Sequence, residues 1–309
     1  MTQPLLLILE PLGVDTAAAE AALTKATGAR CVWGDVSAVD TAAVEFVVTV
    51  KTPVTAALMA ELPNLKAVAV AFTGYDVVDL DACRARGVAV MNVPEYATTA
   101  VAELVIGLSI AILRDIPQAS QAVAAGEWPA QTGGELAGKT VGIVGTGAIG
   151  VATAARFAAF GCTVLGWSRT ERSAFTEYGS YIPELSTLLE QSDIVSLHVP
   201  LTPQTKGLIG ETAFAALKPG ASLINTARGP VVDENALLAA LERGQLAAAA
   251  LDVFATEPLP VDHPLRTHER VLATPHISFN TTPALAERLQ VTSANLAAFY
   301  TGQPTNVVS

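Results

Sequence analysis

The stretch Val141-Gly142-Ile143-Val144-Gly145-Thr146-Gly147-Ala148-Ile149-Gly150 decides how this chain folds. Val141–Val144 is a short apolar run and reads as a buried strand. Ala148–Phe160 is Ala-rich and free of proline, so it reads as a helix, which Gly161 ends. Thr163–Trp167 supplies the next strand and closes a strand–turn–helix–strand unit. In that setting the three glycines have separate physical jobs. Gly145 permits the tight turn, Gly147 lets the backbone approach a pyrophosphate, and Gly150 lets helix and strand pack closely. The helix start, with Ala148 and Ile149, offers free amides and a positive dipole end to phosphates. The unit is therefore expected to bind a dinucleotide.

Working outward, the same alternation continues. Downstream strands are expected at Ile194–Leu197, Ser222–Asn225, Ala248–Asp252 and Val271–Ala273, with helices at Ser186–Gln191, Glu211–Leu217 and Asn235–Arg243. Upstream, Leu5–Leu9, Phe46–Val50, Lys66–Ala71 and Val88–Met91 read as strands, and Thr16–Thr27, Thr55–Leu62 and Asp79–Arg86 as helices. Strands alternating with helices imply α/β layers with parallel sheets. Thr98–Arg114 is a long apolar helix suited to pass from one domain to the other, and Pro283–Tyr300 is expected to return to the first block. The expected division is 1–97 plus 284–309 as a discontinuous substrate-binding domain, and 98–283 as the dinucleotide-binding domain.

Composition agrees with two cored domains. The 309 residues are 51% hydrophobic and 15% charged. No apolar run approaches the roughly 20 residues of a membrane span, and Leu5–Leu9 lacks the basic flank of a leader. A net charge of −11 without a basic block argues against nucleic acid as a partner. An anionic substrate must therefore be drawn in by a local cation. Cys31, Cys83 and Cys162 are odd in number and widely spaced, which suggests neither disulfides nor a metal site. The expected location is the cytoplasm.

Chemistry gathers near strand ends. The strand Thr163–Trp167 runs into Ser168-Arg169-Thr170, where an NAD site usually places an acid to bond the adenosine ribose. Two hydroxyls and a guanidinium suit a 2′-phosphate instead. NADP(H) is favoured, with NAD(H) the alternative. Arg228 follows one strand, Glu257 lies in the loop after another, and His276 follows a third. Reduction of a 2-keto acid needs a cation for the carboxylate and a proton donor for the developing alkoxide. Arg suits the first role and His the second, with a carboxylate beside the imidazole to orient and charge it. Of the other histidines, His263 and His268 read as solvated, and His198 as lining the cofactor groove. Trp128 reads as a dimer contact, as a residue near the neighbouring cleft, or as a plug under a loop.

These residues bring a family into view. The chain resembles the D-2-hydroxyacid dehydrogenases through Phe72-Thr73-Gly74-Tyr75-Asp76, Asn92-Val93-Pro94, Val101-Ala102-Glu103, the glycine turn, His198-Val199-Pro200-Leu201-Thr202, Lys218-Pro219-Gly220, Asn225–Asp233, Leu251-Asp252-Val253-Phe254, Glu257-Pro258 and Pro275-His276. The resemblance implies two Rossmann-like domains with doubly wound parallel sheets and an interdomain active-site cleft, usually in a homodimer. It implies Arg228, Glu257 and His276 as the catalytic set, with the Thr73 and Gly74 amides holding the substrate carboxylate. It further implies cofactor contacts from Val101, Gly147, Ala148, Ile149, Ser168, Arg169, Thr170, His198, Val199, Pro200, Thr205, Thr226, Ala227, Arg228, Asp252, His276 and Ser278. Val50-Lys51-Thr52-Pro53, with Val50 and Lys51 as substrate contacts, is most similar to the glyoxylate and hydroxypyruvate reductase branch. Val50 and Phe279 stand where that branch often has Asn and Trp. Alternatives in the same class are NAD-linked D-lactate, phosphoglycerate or phosphite dehydrogenases. A dinucleotide-sensing binding module, like the family's corepressors, is the alternative in another class.

Overall fold

The computed structural model describes residues 3–309. In chain order it begins β1 (Leu5–Ile8), α1 (Thr16–Thr27), β2 (Arg30–Trp33), β3 (Val44–Thr49), α2 (Ala56–Ala60), β4 (Ala67–Val70), α3 (Leu80–Arg86) and β5 (Ala89–Met91). Then come α4 (Thr98–Leu113), α5 (Ile116–Ala124), β6 (Thr140–Val144), α6 (Ala148–Ala159), β7 (Thr163–Trp167), α7 (Ser173–Thr176), β8 (Ser180–Tyr181) and α8 (Leu185–Gln191). The chain ends with β9 (Ile194–Leu197), α9 (Glu211–Ala216), β10 (Ala221–Asn225), α10 (Glu234–Glu242), β11 (Leu246–Leu251), β12 (Val271–Ala273) and α11 (Thr282–Tyr300).

The chain divides into two compact units, one up to Ala97 together with Asn280–Ser309, the other Thr98–Phe279. The first holds a five-stranded parallel sheet in the order β2-β1-β3-β4-β5. β1 and β4 are buried at every position, which is the pattern of parallel strands covered on both faces. Helix α11 packs on α1 and on β4. Beyond it Val308 donates to the Val90 carbonyl at 2.8 Å, so the last residues lie along β5. Asp15 and Asp79 start their helices by accepting the amides of Ala18 and Ala82, satisfying donors that the first turn leaves unpaired.

The second unit holds a seven-stranded parallel sheet in the order β12-β11-β10-β9-β6-β7-β8. Helix α4 lies wholly within this unit, packed on α6, β10 and β11. Its apolar surface is therefore explained by the second unit's own core. Strands β6, β9 and β10 are buried almost throughout. Four elements were not expected from the sequence: β2 and β8 at sheet edges, the single turn α7, and α5. Trp128, beyond α5, is 88% exposed, which removes the reading of it as a plug.

Candidate active site

The glycine turn sits where the second sheet reverses its winding, between β6 and β9. Open α/β sheets bind ligands at such a point, beyond the carboxyl ends of the strands. Gly145 has φ +100°, and a Cβ there would lie 2.6 Å from the His198 carbonyl oxygen. A Cβ on Gly150 would lie 2.1 Å from the Gly145 oxygen. Gly147 is different: among the described residues nothing lies within 4 Å of where its Cβ would be. Two glycines thus let protein segments touch, and the middle one keeps space for something from outside. Gly147 also caps α6 without any side-chain hydrogen bond, so the first-turn amides of Ala148 and Ile149 stay available. Nearby in sequence to Arg228, the buried Thr226 hydroxyl has no hydrogen-bond partner among the described residues. An open backbone cradle, an uncapped helix and an orphan hydroxyl fit a bound dinucleotide.

Around the turn, the expected cofactor residues take distinct settings. Ser168 is half-buried at the end of β7, and Arg169 and Thr170 are exposed. The Tyr181 hydroxyl bonds the Thr146 hydroxyl at 2.7 Å and accepts the Arg172 amide at 2.8 Å. It ties the segment after β7 to the glycine turn, a role that no sequence pattern announced. Part of His198 reaches solvent, yet its ring is desolvated, which lowers its pKa to about 3. Its Nε2 lies 2.9 Å from the Ser196 hydroxyl. A neutral His198 can line a groove but cannot store a proton near pH 7. Thr205 donates to the Pro200 carbonyl at 2.5 Å and accepts from the Thr202 amide at 2.8 Å, fixing the loop that carries Val199 and Pro200. Val101 and Ser278 are buried, and Ala227 donates its amide to Asn225 Oδ1 at 3.0 Å.

The catalytic candidates all lie in the second unit. His276 Nδ1 donates to Glu257 Oε2 at 2.6 Å, a short charge-assisted contact that leaves Nε2 as the ring's outward nitrogen. Glu257 is itself held: its Oε1 accepts the Phe254 amide at 3.1 Å. His276 has φ +53°, an uncommon conformation for a non-glycine residue. Asp252 explains how it is kept. That carboxylate is completely buried and accepts the Ile277 and Ser278 amides at 2.8 Å and the Thr274 hydroxyl at 2.6 Å. In this structure its oxygens organise the His276 loop. Arg228 leaves β10 in a turn fixed by Asn225, whose Nδ2 donates to the Arg228 carbonyl at 3.0 Å. The next residue, Gly229, runs so close to the Glu257 segment that a Cβ would lie 1.9 Å from the Phe254 carbonyl carbon. The backbone carrying Arg228 and the loop carrying Glu257 are thereby in direct contact.

His263 and His268 are not solvated as the sequence suggested. Each is half-buried and turns Nδ1 back to its own loop, accepting the amides of Leu265 at 3.3 Å and Arg270 at 3.1 Å. His263 Nε2 also lies 3.4 Å from Glu234, whose other oxygen accepts the Ala255 amide. Polar loops of this kind satisfy their backbone with whatever side chain is local.

In the first unit, Thr73 and Gly74 follow β4, and Val50 and Lys51 follow β3. The Thr73 hydroxyl donates to the Val93 carbonyl at 3.0 Å, and Asn92 Nδ2 donates to the Thr73 carbonyl at 2.7 Å. Both partners sit after the neighbouring strand β5. The amides of Val50 and Lys51 already donate to Glu10 at 3.0 and 2.7 Å. Sequence reasoning did not single out Glu10, because nothing local to it signals a partner 40 residues away.

A doubly wound sheet, a glycine turn open to a ligand and a carboxylate–imidazole pair define a nicotinamide-dinucleotide-dependent oxidoreductase. The comparisons narrow that class. The family model for the NAD binding domain of D-isomer specific 2-hydroxyacid dehydrogenases matches residues 106–278. The glyoxylate reductase of Thermofilum pendens is 42% identical over 259 residues, covering 80% of this chain and 76% of that protein. The hydroxypyruvate reductase of Blautia hydrogenotrophica is 36% identical over 273 residues, 86% of this chain and 85% of that one. The crystal structure of a glyoxylate reductase from Paecilomyes thermophila superimposes with a TM-score of 0.90 at 29% identity, covering 100% of this chain and 99% of that chain. The chain belongs to the D-isomer specific 2-hydroxyacid dehydrogenase family. Among the described residues no helix is long and apolar enough to cross a membrane, and no cluster of His, Cys, Asp and Glu could hold a metal ion.

Proposed function

We propose that the chain reduces glyoxylate or hydroxypyruvate, using NADPH in preference to NADH. The observation that carries this reading is the 2.6 Å His276–Glu257 contact, set beside the Arg228 segment by the close approach at Gly229. NADPH, when bound, supplies the hydride that reaches the keto carbon. Arg228 holds the carboxylate and polarises the carbonyl, its fork matching two oxygens at once. The amides of Thr73 and Gly74 are the first unit's own candidates for binding a carboxylate. His276 delivers a proton from Nε2 to the carbonyl oxygen as it gains charge, and Glu257 stabilises the imidazolium before transfer. One hydride and one proton convert the 2-keto acid into its 2-hydroxy acid.

The phosphates are assigned to Gly147, Ala148 and Ile149, and the 2′-phosphate to Ser168, Arg169 and Thr170. The absence of an acid at that strand end supports NADPH. Residues 98–279 act as the dinucleotide domain and the remainder as the substrate domain. The enzyme works as a homodimer in the cytosol, a reading supported by the exposed apolar residues around α5 and by three free cysteines.

One assay tests the core of this: NADPH and NADH oxidation with a panel of 2-keto acids. Turnover of glyoxylate or hydroxypyruvate, better with NADPH, is expected. Turnover of pyruvate alone would move the chain to the D-lactate branch, and no turnover with any acid would favour a dinucleotide sensor. Ser168→Asp with Arg169→Ala should swing the ratio of NADPH to NADH kcat/KM toward NADH by about tenfold or more, the worth of one charge-assisted contact. An unchanged ratio would assign the preference elsewhere.

A further inference from the structure

The first unit has a winding reversal of its own. In the order β2-β1-β3-β4-β5 the chain leaves β1 toward one side and returns at β3 on the other. Ligands in open sheets of this order bind beyond the strand ends at the β1/β3 reversal. Here that place is already filled by the protein. Glu10 follows β1, and its Oε1 accepts three successive amides after β3: Val50 at 3.0 Å, Lys51 at 2.7 Å and Thr52 at 2.5 Å. The Thr49 hydroxyl adds a contact at 3.2 Å. Successive amides aimed at one point form a concavity that binds anions. Burial disfavours charge on Glu10, but the amides of Thr52, Lys51 and Val50 outweigh it and hold its pKa below the usual carboxylate range.

We infer that Glu10 is a positioning residue for the substrate segment Val50–Thr52, acting as a built-in anion that occupies the first unit's own carboxylate site. Two consequences follow from one contact. The segment is locked in a single conformation, with the Lys51 side chain facing solvent. The amides of Val50 and Lys51 are withheld from the substrate, so a 2-keto acid must place its carboxylate on the other anchors. The inference rests on the reading that this segment contacts substrate.

Glu10→Ala and Glu10→Gln in the full chain test it. Glu10→Ala is expected to raise the keto-acid KM by about tenfold or more, the scale of losing a charge-assisted contact, while the NADPH KM stays unchanged. Glu10→Gln keeps an acceptor oxygen in place and should recover most of that loss. Formate or acetate should refill the empty nest, lowering the raised KM and raising the thermal midpoint of Glu10→Ala but not of the wild type. The thermal readout works without turnover, and if Glu10→Ala does not fold, Glu10→Asp, whose shorter side chain draws the carboxylate back from the amides, should raise the keto-acid KM with kcat little changed, and an unchanged KM would overturn the inference. Equal loss in both KM values, or no anion effect specific to Glu10→Ala, would overturn the inference. If the wild type turns over no keto acid, the proposed function fails instead, and the anion-dependent stabilisation still reports on the nest.

Discussion

Replacing Arg228 by Lys keeps the positive charge but removes the planar fork, and an ammonium cannot grip two oxygens in one plane. Arg228→Lys should therefore lower kcat/KM by about 10²–10³, the range found when one positioned donor is lost from a transition state. Steady-state kinetics check it, with dinucleotide affinity from fluorescence titration expected to stay near wild type. His198 gives a prediction of a different kind. Its folded pKa of about 3 lies below the 6.5 of a free imidazole. Between those values the unfolded chain holds a proton that the folded chain does not. The stability contributed by neutral His198 is thus present above pH 6.5 and is lost as pH falls toward 3, at about 1.4 kcal/mol per pH unit. Denaturant unfolding between about pH 5 and 6.5 should show that slope, and His198→Asn should flatten it by one proton. An equal slope in both proteins would show that His198 is charged in the native state. Arg228 and His276 stand out in the sequence because a guanidinium and an imidazole are uncommon just past buried strands. Glu10 and Tyr181 were not, because each works only through partners brought to it by the fold.

At the scale of the element, the glycine turn separates binding from folding. Gly147→Ala meets no protein atom among the described residues, whereas Gly150→Ala must displace the Gly145 carbonyl. Gly147→Ala should leave the thermal midpoint of the free protein within a degree or two, or raise it slightly. It should weaken NADPH binding about tenfold or more by standing where the pyrophosphate approaches. Gly150→Ala should do the reverse first, lowering the midpoint through strain of about 1–3 kcal/mol. Calorimetry of each variant with and without NADPH distinguishes them, and equal behaviour would end the assignment of separate roles. Elements with strong internal signals were readable: α1, β6, β7, β9 and β12 lie where the sequence placed them. The missed ones lack such signals. β2 is four residues at an edge with no face fully buried, and β8 is two residues long. Helix α5 opens with Pro117 in its first turn, and a proline there is tolerated because its missing amide would be unpaired anyway. Read from sequence alone, that proline looks like a stop.

At the scale of the molecule, the chain carries a net charge of −11 while its proposed substrate is an anion. Attraction must be local, which is why one arginine can matter so much in this chain. The alternation of strand and helix patterns made the doubly wound α/β class and the pair of parallel sheets legible, since buried parallel strands write themselves as continuous apolar runs. Assembly is not written that way, because an interface patch and a loosely covered core look alike until burial is known. The face around α5 is where the structure adds information: Ile116, Val123 and Trp128 are all exposed, the last by 88%. Ile116 and Val123 also line an open groove, together with Ile110, Arg114, Ala119 and Ser120. The proposed homodimer draws its support from these exposed apolar side chains, two on α5 and the third four residues beyond its end. If two copies join there and bury Trp128 between them, that Trp contributes about 2 kcal/mol or more. Trp128→Glu combined with Val123→Glu should then place charges inside the contact and weaken dimerisation by more than about thirtyfold. Light scattering across a dilution series reads this directly. The wild type should keep twice the chain mass at concentrations where the double variant shows one. A wild type that runs as a single chain at every concentration would remove the homodimer from the proposal while leaving the His276–Glu257 chemistry untouched, since both residues lie in the same unit.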